Sequence, residues 1–292
     1  MADQQAVVAA GRINDAALHD TYEFIRRTLD VSNLTATTAF VTCFAADPDA
    51  VRAQLATLAQ LAGHSPEWFA HVLPALRAGQ TDGWNGNAYY TALMQAGHEM
   101  AWHGATHMPL TDQTPVAAVE LEIRLAQTLF AGLGLTPSTI VFPRNLVGHQ
   151  ARLHDAGFKT YRASPPGGFG GRLASLLNEW NVLDKRVAAK PALVDGWQVS
   201  PAATFLNWPS GVRAMVPVAV TVQRWKSLLR NAVKQGGYVH MWFHPHNLLT
   251  APAMKIAFAE IMREVGQLVR AGDMVNLTMA QANSYYAAEE SR

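Results

Sequence analysis

Apolar positions alternate between two rhythms along this chain, and the alternation predicts its elements. Ala36 to Phe44 is dense in β-branched and aromatic residues, which predicts a buried strand. Ahead of it, Asp20 to Leu29 carries Tyr22, Phe24, Ile25 and Leu29 at near-helical spacing. Asp47-Pro48 then opens a helical pattern through Val51, Leu55, Leu58 and Leu61, with Asp47 as N-cap and Pro48 in the first position. A loop and helix insertion covers roughly residues 62–92, where Gly79, Gly83 and Gly86 break the periodicity. Further on, strands are predicted over Gly97–Trp102, Ser138–Phe142, Gly157–Arg162, Trp197–Ser200, Gly237–Phe243 and Val275–Thr278. Helices are predicted over Val116–Leu133, Leu146–Ala156, Val222–Val233 and Ala253–Val269. Val7–Ile13 is a weaker strand, and Pro165–Gly171, rich in glycine and proline, is a loop. Strands alternating with helices predict an α/β fold with a largely parallel sheet, open or barrel-like.

Composition narrows this little. The chain has 292 residues, 49% of them hydrophobic and 15% charged, enough for one large α/β domain with a buried core. No internal repeat or linker stands out, so residues 1–292 are read as one domain. The net charge of +1 gives no electrostatic case for nucleic acid or an acidic membrane surface. No apolar run is long enough to span a bilayer. The start, Met1-Ala2-Asp3-Gln4-Gln5, lacks the features of a signal peptide, and the single cysteine, Cys43, fits a reducing compartment. A cytoplasmic location is therefore expected. Cys43 itself reads as a small buried residue of a strand, and Asp184-Lys185-Arg186 as a solvated face.

The chemistry concentrates where parallel strands end. His103 and His107 follow the Gly97–Trp102 strand, and two neutral imidazoles can seat a divalent ion if a carboxylate joins them. At that spacing two polar loop histidines are the alternative. Pro143-Arg144-Asn145 follows the strand ending at Phe142, and His244 and His246 follow Gly237–Phe243. Ligands of parallel α/β folds gather at these carboxyl edges. Arg144 has a structural ion pair as its alternative, and Asp15, after the Val7–Ile13 strand, serves equally as an N-cap. His240 reads as a hydrogen-bonded core histidine, Asp195-Gly196 as a turn, and Trp84 as a loop anchor or a platform for a sugar.

Taken in order, these segments resemble the polysaccharide deacetylase (NodB-homology) family of carbohydrate esterases. Gly97-His98-Glu99 through His107 resembles the motif whose two histidines bind the metal. Phe142-Pro143-Arg144-Asn145 resembles the motif whose arginine supports the catalytic carboxylate. Gly157-Phe158-Lys159-Thr160-Tyr161-Arg162 is similar to the segment that follows it. Tyr238–His244 resembles the strand ending in a general-acid histidine, and Gly272–Thr278 resembles the closing strand. The family's Asp-Asp-Gly motif falls on Ile13-Asn14-Asp15-Ala16, so Asp15 matches the metal-binding aspartate and Asn14 replaces the base; a shift of one would make Asp15 the base. Gly104 stands where the family has Ser or Thr.

The resemblance implies a distorted (β/α) barrel forming one catalytic domain. It implies a divalent ion, zinc by its donors, on His103, His107 and Asp15, with His244, Arg144 and Asp15 in the catalysis. Pro143, Asn145, Trp242 and His246 would bind an amino-sugar or glycan, and His246 is the substitute for His244 as acid. The activity implied is removal of an N-acetyl group during polysaccharide or glycoconjugate assembly. A related amidohydrolase or deformylase, or a degenerate carbohydrate-binding member of the fold, are the alternatives.

Overall fold

The computed structural model of the chain describes residues 13–80, 82–164, 179–182, 188–202 and 204–290. The strand expected over Val7–Ile13, apart from Ile13, falls outside them, as do the Pro165–Gly171 loop and Asp184-Lys185-Arg186. In chain order come helix α1 (Asp15–Ser32), strands β1 (Thr37–Phe40) and β2 (Glu99–Trp102), helix α2 (Val116–Leu133), and strands β3 (Thr139–Ile140) and β4 (Thr160–Arg162). Strands β5 (Ala192–Val194), β6 (Trp197–Ser200) and β7 (Thr204–Phe205) follow. Then come helix α3 (Val218–Gln235), strand β8 (Met241–Trp242), and helices α4 (Ala253–Ala271) and α5 (Met279–Glu290). The expected insertion is present as short helices at Pro66–Phe69, Val72–Arg77 and Asn87–Gln95. None of the described helices is long and apolar enough to cross a membrane.

The fold is mixed α/β, and the chain divides into two compact units. One comprises Thr37–Ser164, Ala192–Ser200 and Thr278–Arg292. Its six strands run in the order β1-β2-β3-β4-β6-β5, parallel except for β5, which pairs antiparallel with β6. The antiparallel pair is a hairpin closed by Asp195 (φ 49°) and Gly196 (φ 83°). Positive φ at both central residues is what a two-residue turn needs to match strand twist. Trp102 is fully buried and stacks on Phe158 at 4.7 Å, while Phe40 meets Tyr90 edge-on at 5.4 Å. At the amino edge of the sheet the Glu99 carboxylate accepts from Thr37 Oγ1 at 2.6 Å, from Thr139 Oγ1 at 2.5 Å and from the Ala280 amide at 3.2 Å. That glutamate ties β1, β2, β3 and α5 together, so its role is structural.

The other unit comprises Met1–Ala36, Pro165–Pro191 and Pro201–Leu277. Here β7 and β8 pair in parallel, and α1, α3 and α4 supply a core that includes Ile25, Leu29, Trp225, Leu228, Phe258 and Ile261. Helix α1 begins at Asn14, whose side chain accepts the Ala17 N–H at 2.8 Å. The N-cap reading of Asp15 is therefore corrected by one residue: the amide caps, and Asp15 sits exposed in the first turn. The helix stops where Asn33 turns left-handed (φ 54°).

Two further expectations are corrected. The Ala36–Phe44 strand ends at Phe40, and Thr42–Ala45, with Cys43, forms a helical turn instead. β-branched and aromatic residues are dense along the run, but a short apolar run satisfies either geometry and its last residues turn helical. Val275–Thr278 forms no strand. The Asn276 side chain takes the place of a ladder, its Oδ1 accepting the Thr35 N–H at 2.6 Å and its Nδ2 donating to the Thr35 carbonyl at 3.1 Å. Among the described residues the strands make these two sheets, and no closed barrel is found. Replacing Asn276 by Ala should leave both backbone groups of Thr35 without this partner and destabilise the protein by about 1–3 kcal/mol. Urea denaturation checks this, and a loss under about 0.3 kcal/mol would mean the amide clamp is dispensable.

Candidate functional site

Two clusters hold the candidate residues, one on each unit. On the six-stranded unit, β2 runs directly into His103, whose N–H donates to the Phe40 carbonyl at 2.9 Å. The His103 ring is set from the neighbouring strand, since Nδ1 donates to the Val141 carbonyl at 2.6 Å. A carbonyl only accepts, so the proton sits on Nδ1 and the neutral ring carries its lone pair on Nε2. The His103 and His107 ring centroids stand 4.8 Å apart, and Trp68 from the insertion lies 5.8 Å from the His107 ring. Beyond β3, Pro143-Arg144-Asn145 forms two overlapping turns, the Asn145 N–H donating to the Phe142 carbonyl at 3.0 Å and the Leu146 N–H to the Pro143 carbonyl at 3.2 Å.

Backbone strain concentrates here. His107 (φ 64°), Arg144 (φ 58°) and Asn145 (φ 58°) are all left-handed without being glycine. Each such residue costs on the order of 1–3 kcal/mol and persists only where its surroundings impose it. Asn145 is held on both sides: Oδ1 accepts from Arg162 Nη2, and its carbonyl accepts from Ser164 Oγ at 2.6 Å. Arg162, at the end of β4, is buried, and burial lowers its pKa to about 10. Arg144 is exposed, and no ion pair of it is found among the described residues.

The turn between the two histidines has its backbone groups accounted for almost completely. Glu122 Oε2 accepts from the Ala105 amide at 2.7 Å and from the Thr106 amide at 3.2 Å, while Oε1 meets Thr106 Oγ1. The carbonyls of Gly104 and Ala105 accept from the amides of Thr42 and Cys43, both at 3.0 Å. The Thr106 carbonyl accepts from Trp68 Nε1 at 3.2 Å. Glu122 has no exposed surface, and burial pushes its pKa up to about 7 against the opposing effect of the Thr106 and Ala105 hydrogen bonds. Burial, and secondarily the Glu122 charge, also pushes up the Cys43 thiol. Sequence reading missed Glu122, yet a signal was present: it lies on the apolar stripe of α2 with Ala118, Leu125 and Leu129. A charged residue on a buried stripe demands a partner.

Gly104 answers the departure from the family pattern. Its φ is +78°, and a Cβ there would stand 3.1 Å from Pro143 Cγ and 3.5 Å from Glu122 Oε2. The Ser or Thr of the family does not suit this backbone.

On the other unit, β8 delivers a group of rings. His244 and His246 stack at 5.1 Å, Trp242 meets His244 edge-on at 5.9 Å, and Trp208 lies 5.6 Å from His246. Burial lowers the His246 pKa to about 4. His240 donates from Nδ1 to the Pro201 carbonyl at 2.8 Å, so it is hydrogen-bonded as expected but half-buried rather than in the core. Asp15 belongs to the start of α1, and Trp84 is 37% exposed. An open groove of about 840 Å³ beside α1 and α4, lined by Asp20, Glu23, Arg27, Lys255 and Arg263 among others, contains none of the candidate residues.

The donors gathered at the end of β2 are two imidazoles, one with its tautomer fixed, which fits two of the positions a zinc ion fills. Among the described residues no group of three or more His, Cys, Asp or Glu is assembled that could hold a metal ion.

With this geometry in place, the chain can be set beside known proteins. No family model matches it, and no curated protein does. Among solved structures it is similar to one described as a "putative polysaccharide deacetylase from Mycobacterium smegmatis". The TM-score is 0.57 and the identity 16%, covering 94% of this chain and 79% of that one. At that identity the likeness is one of fold.

Two outcomes follow from the site. Gly104→Ser should destabilise the protein by about 1 kcal/mol or more, read as a lower denaturation midpoint; an unchanged midpoint would mean the turn relaxes freely. His246 binds its proton more weakly folded than unfolded, so its contribution to stability is present above pH 6.5 and is lost as pH falls through about 4. Its ring resonances should titrate near pH 4 in the folded protein, and a midpoint near 6.5 would contradict this burial.

Proposed function

We propose that the protein is a metal-dependent hydrolase that removes an N-acetyl group from an amino-sugar in polysaccharide or glycoconjugate assembly. The observation that carries this reading is the His103/His107 pair, with one tautomer fixed and strained neighbours, at the carboxyl edge of a parallel sheet. The fold likeness to the mycobacterial structure supports a deacetylase-like hydrolase. In this reading His103 and His107 supply two ligands of a divalent ion, zinc by its donors. Asp15, expected as the third, stands exposed in the first turn of α1 and joins no group of three metal-binding side chains among the described residues. Such an ion, when bound, polarises the amide carbonyl and lowers the pKa of water enough to supply a nucleophile at neutral pH.

The remaining roles belong to the chain. His244 gives a proton to the departing amine, without which expulsion of an amide anion is prohibitive. His246, kept neutral by burial, suits hydrogen bonding to substrate better than the acid role. Arg144 orients the acid–base groups from the end of β3. Pro143, Asn145 and Trp242 contact the sugar. Another small amide or a formamide would engage the same groups, so the acyl and acceptor are decided by assay.

One observation favours a second reading, a carbohydrate-binding protein without turnover. Asn14 stands in place of the family's base, and its amide oxygen is engaged in capping α1. An amide cannot take a proton from water at neutral pH.

Metal analysis combined with acetate release from N-acetylhexosamine substrates separates the two. One zinc per chain with acetate release is expected, and His103→Ala should lower zinc affinity at least ~100-fold. Bound zinc without release from any acetamide or formamide would support the binding protein. Unchanged zinc in His103→Ala would overturn the ligand assignment.

A further inference from the structure

A hydrophobic side chain at position 122 would fill the space beneath the histidine turn without the cost of burying a charge. The chain instead places a carboxylate there with no exposed surface. Its partners are neither a lysine nor an arginine but the two amides and the hydroxyl of Ala105 and Thr106, the residues lying between His103 and His107. The same turn has its carbonyls held by Thr42, Cys43 and Trp68. It ends at His107 in a left-handed conformation that a β-strand continuation would not adopt. Every one of these contacts fixes the direction in which the second imidazole leaves the backbone relative to the first.

We propose that Glu122 is the positioning residue of the two-histidine site, its carboxylate holding the Ala105–Thr106 turn so that the His103 and His107 rings face one another. The proposal rests on the reading of that pair as metal ligands, and it assigns a function to a residue outside the pair. Glu122 does not touch the ion or the substrate. It acts through the turn, as an outer carboxylate acts on a ligand it orients. Thr106 is the second half of the device, since its hydroxyl meets Glu122 Oε1 while its amide meets Oε2.

The test uses the full chain, with zinc alone as probe in competition with a chromophoric chelator. Glu122→Gln keeps shape but turns one acceptor into a donor, and should weaken zinc binding ~10–100-fold. Because a buried substitution can impair folding, Thr106→Val and Thr106→Ser carry the decision. Valine keeps the shape of threonine and loses the hydroxyl, whereas serine keeps the hydroxyl and loses only the methyl. Measured well below its own denaturation midpoint, Thr106→Val should weaken zinc ~10-fold, and Thr106→Ser should restore the affinity to within ~3-fold. In parallel, the ring resonances of His103 and His107 in the zinc-free protein should shift in Thr106→Val, while those of His19, His64 and His154 stay in place.

Zinc binding equal to the parent in both Glu122→Gln and Thr106→Val would overturn the proposal. So would unshifted His103 and His107 resonances. If the parent chain binds no zinc, the metal reading falls, but the ring resonances still decide whether Glu122 positions the pair.

Discussion

A single buried carboxylate sets the geometry on which the candidate site depends. Glu122 rises from α2 into a space with no solvent, and three donors from the Ala105–Thr106 turn converge on it. The shift of its pKa from 4.5 to about 7 shows which effect wins, since desolvation exceeds the combined pull of those donors. Such a shift corresponds to about 3 kcal/mol disfavouring the charged form. The carboxyl can meet either state, because the Thr106 hydroxyl is able to donate to a carboxylate or accept from a carboxylic acid.

The sheet explains why this turn falls where it does. Its amino edge is knitted by Glu99, which gathers Thr37, Thr139 and the start of α5. Its carboxyl edge carries the histidine turn, the Pro143–Asn145 turn and Arg162. The amino edge contains satisfied hydroxyl–carboxylate contacts and one left-handed residue that is not glycine, Asp195 in the β5–β6 turn; the carboxyl edge contains three. Strain of that kind is tolerated where function requires a fixed direction, and here it marks the ends of adjacent parallel strands.

Much of this was legible in the sequence, for physical reasons that vary by element. Helix α2 spans the predicted Val116–Leu133 because its buried residues, among them Ala118, Leu121, Leu125, Leu129 and Leu133, keep a helical period without interruption. Asp47 and Pro48 cap their helix as expected, with the Asp47 side chain accepting from the amides of Asp49 and Ala50. That Val275–Thr278 forms no strand was not legible, because one side chain, Asn276, performs the pairing that a ladder would perform. Thr42–Ala45 was not legible because an apolar turn of helix and an apolar strand end look alike over four residues. Motif order singles out the histidines, Arg144 and Asn145 only as candidates for the site. It gives no sign of their support: Glu122 and Trp68 reach the turn from distant sequence positions, and only the folded chain shows the contact.

The central claim is that His103 and His107 form two ligands of one metal site. Anomalous diffraction at the zinc edge, from crystals of the full chain grown with zinc, tests it most directly. The account expects one peak about 2.0–2.1 Å from His103 Nε2 and at the same distance from a ring nitrogen of His107. A zinc peak elsewhere on the chain, with none at this pair, would contradict it.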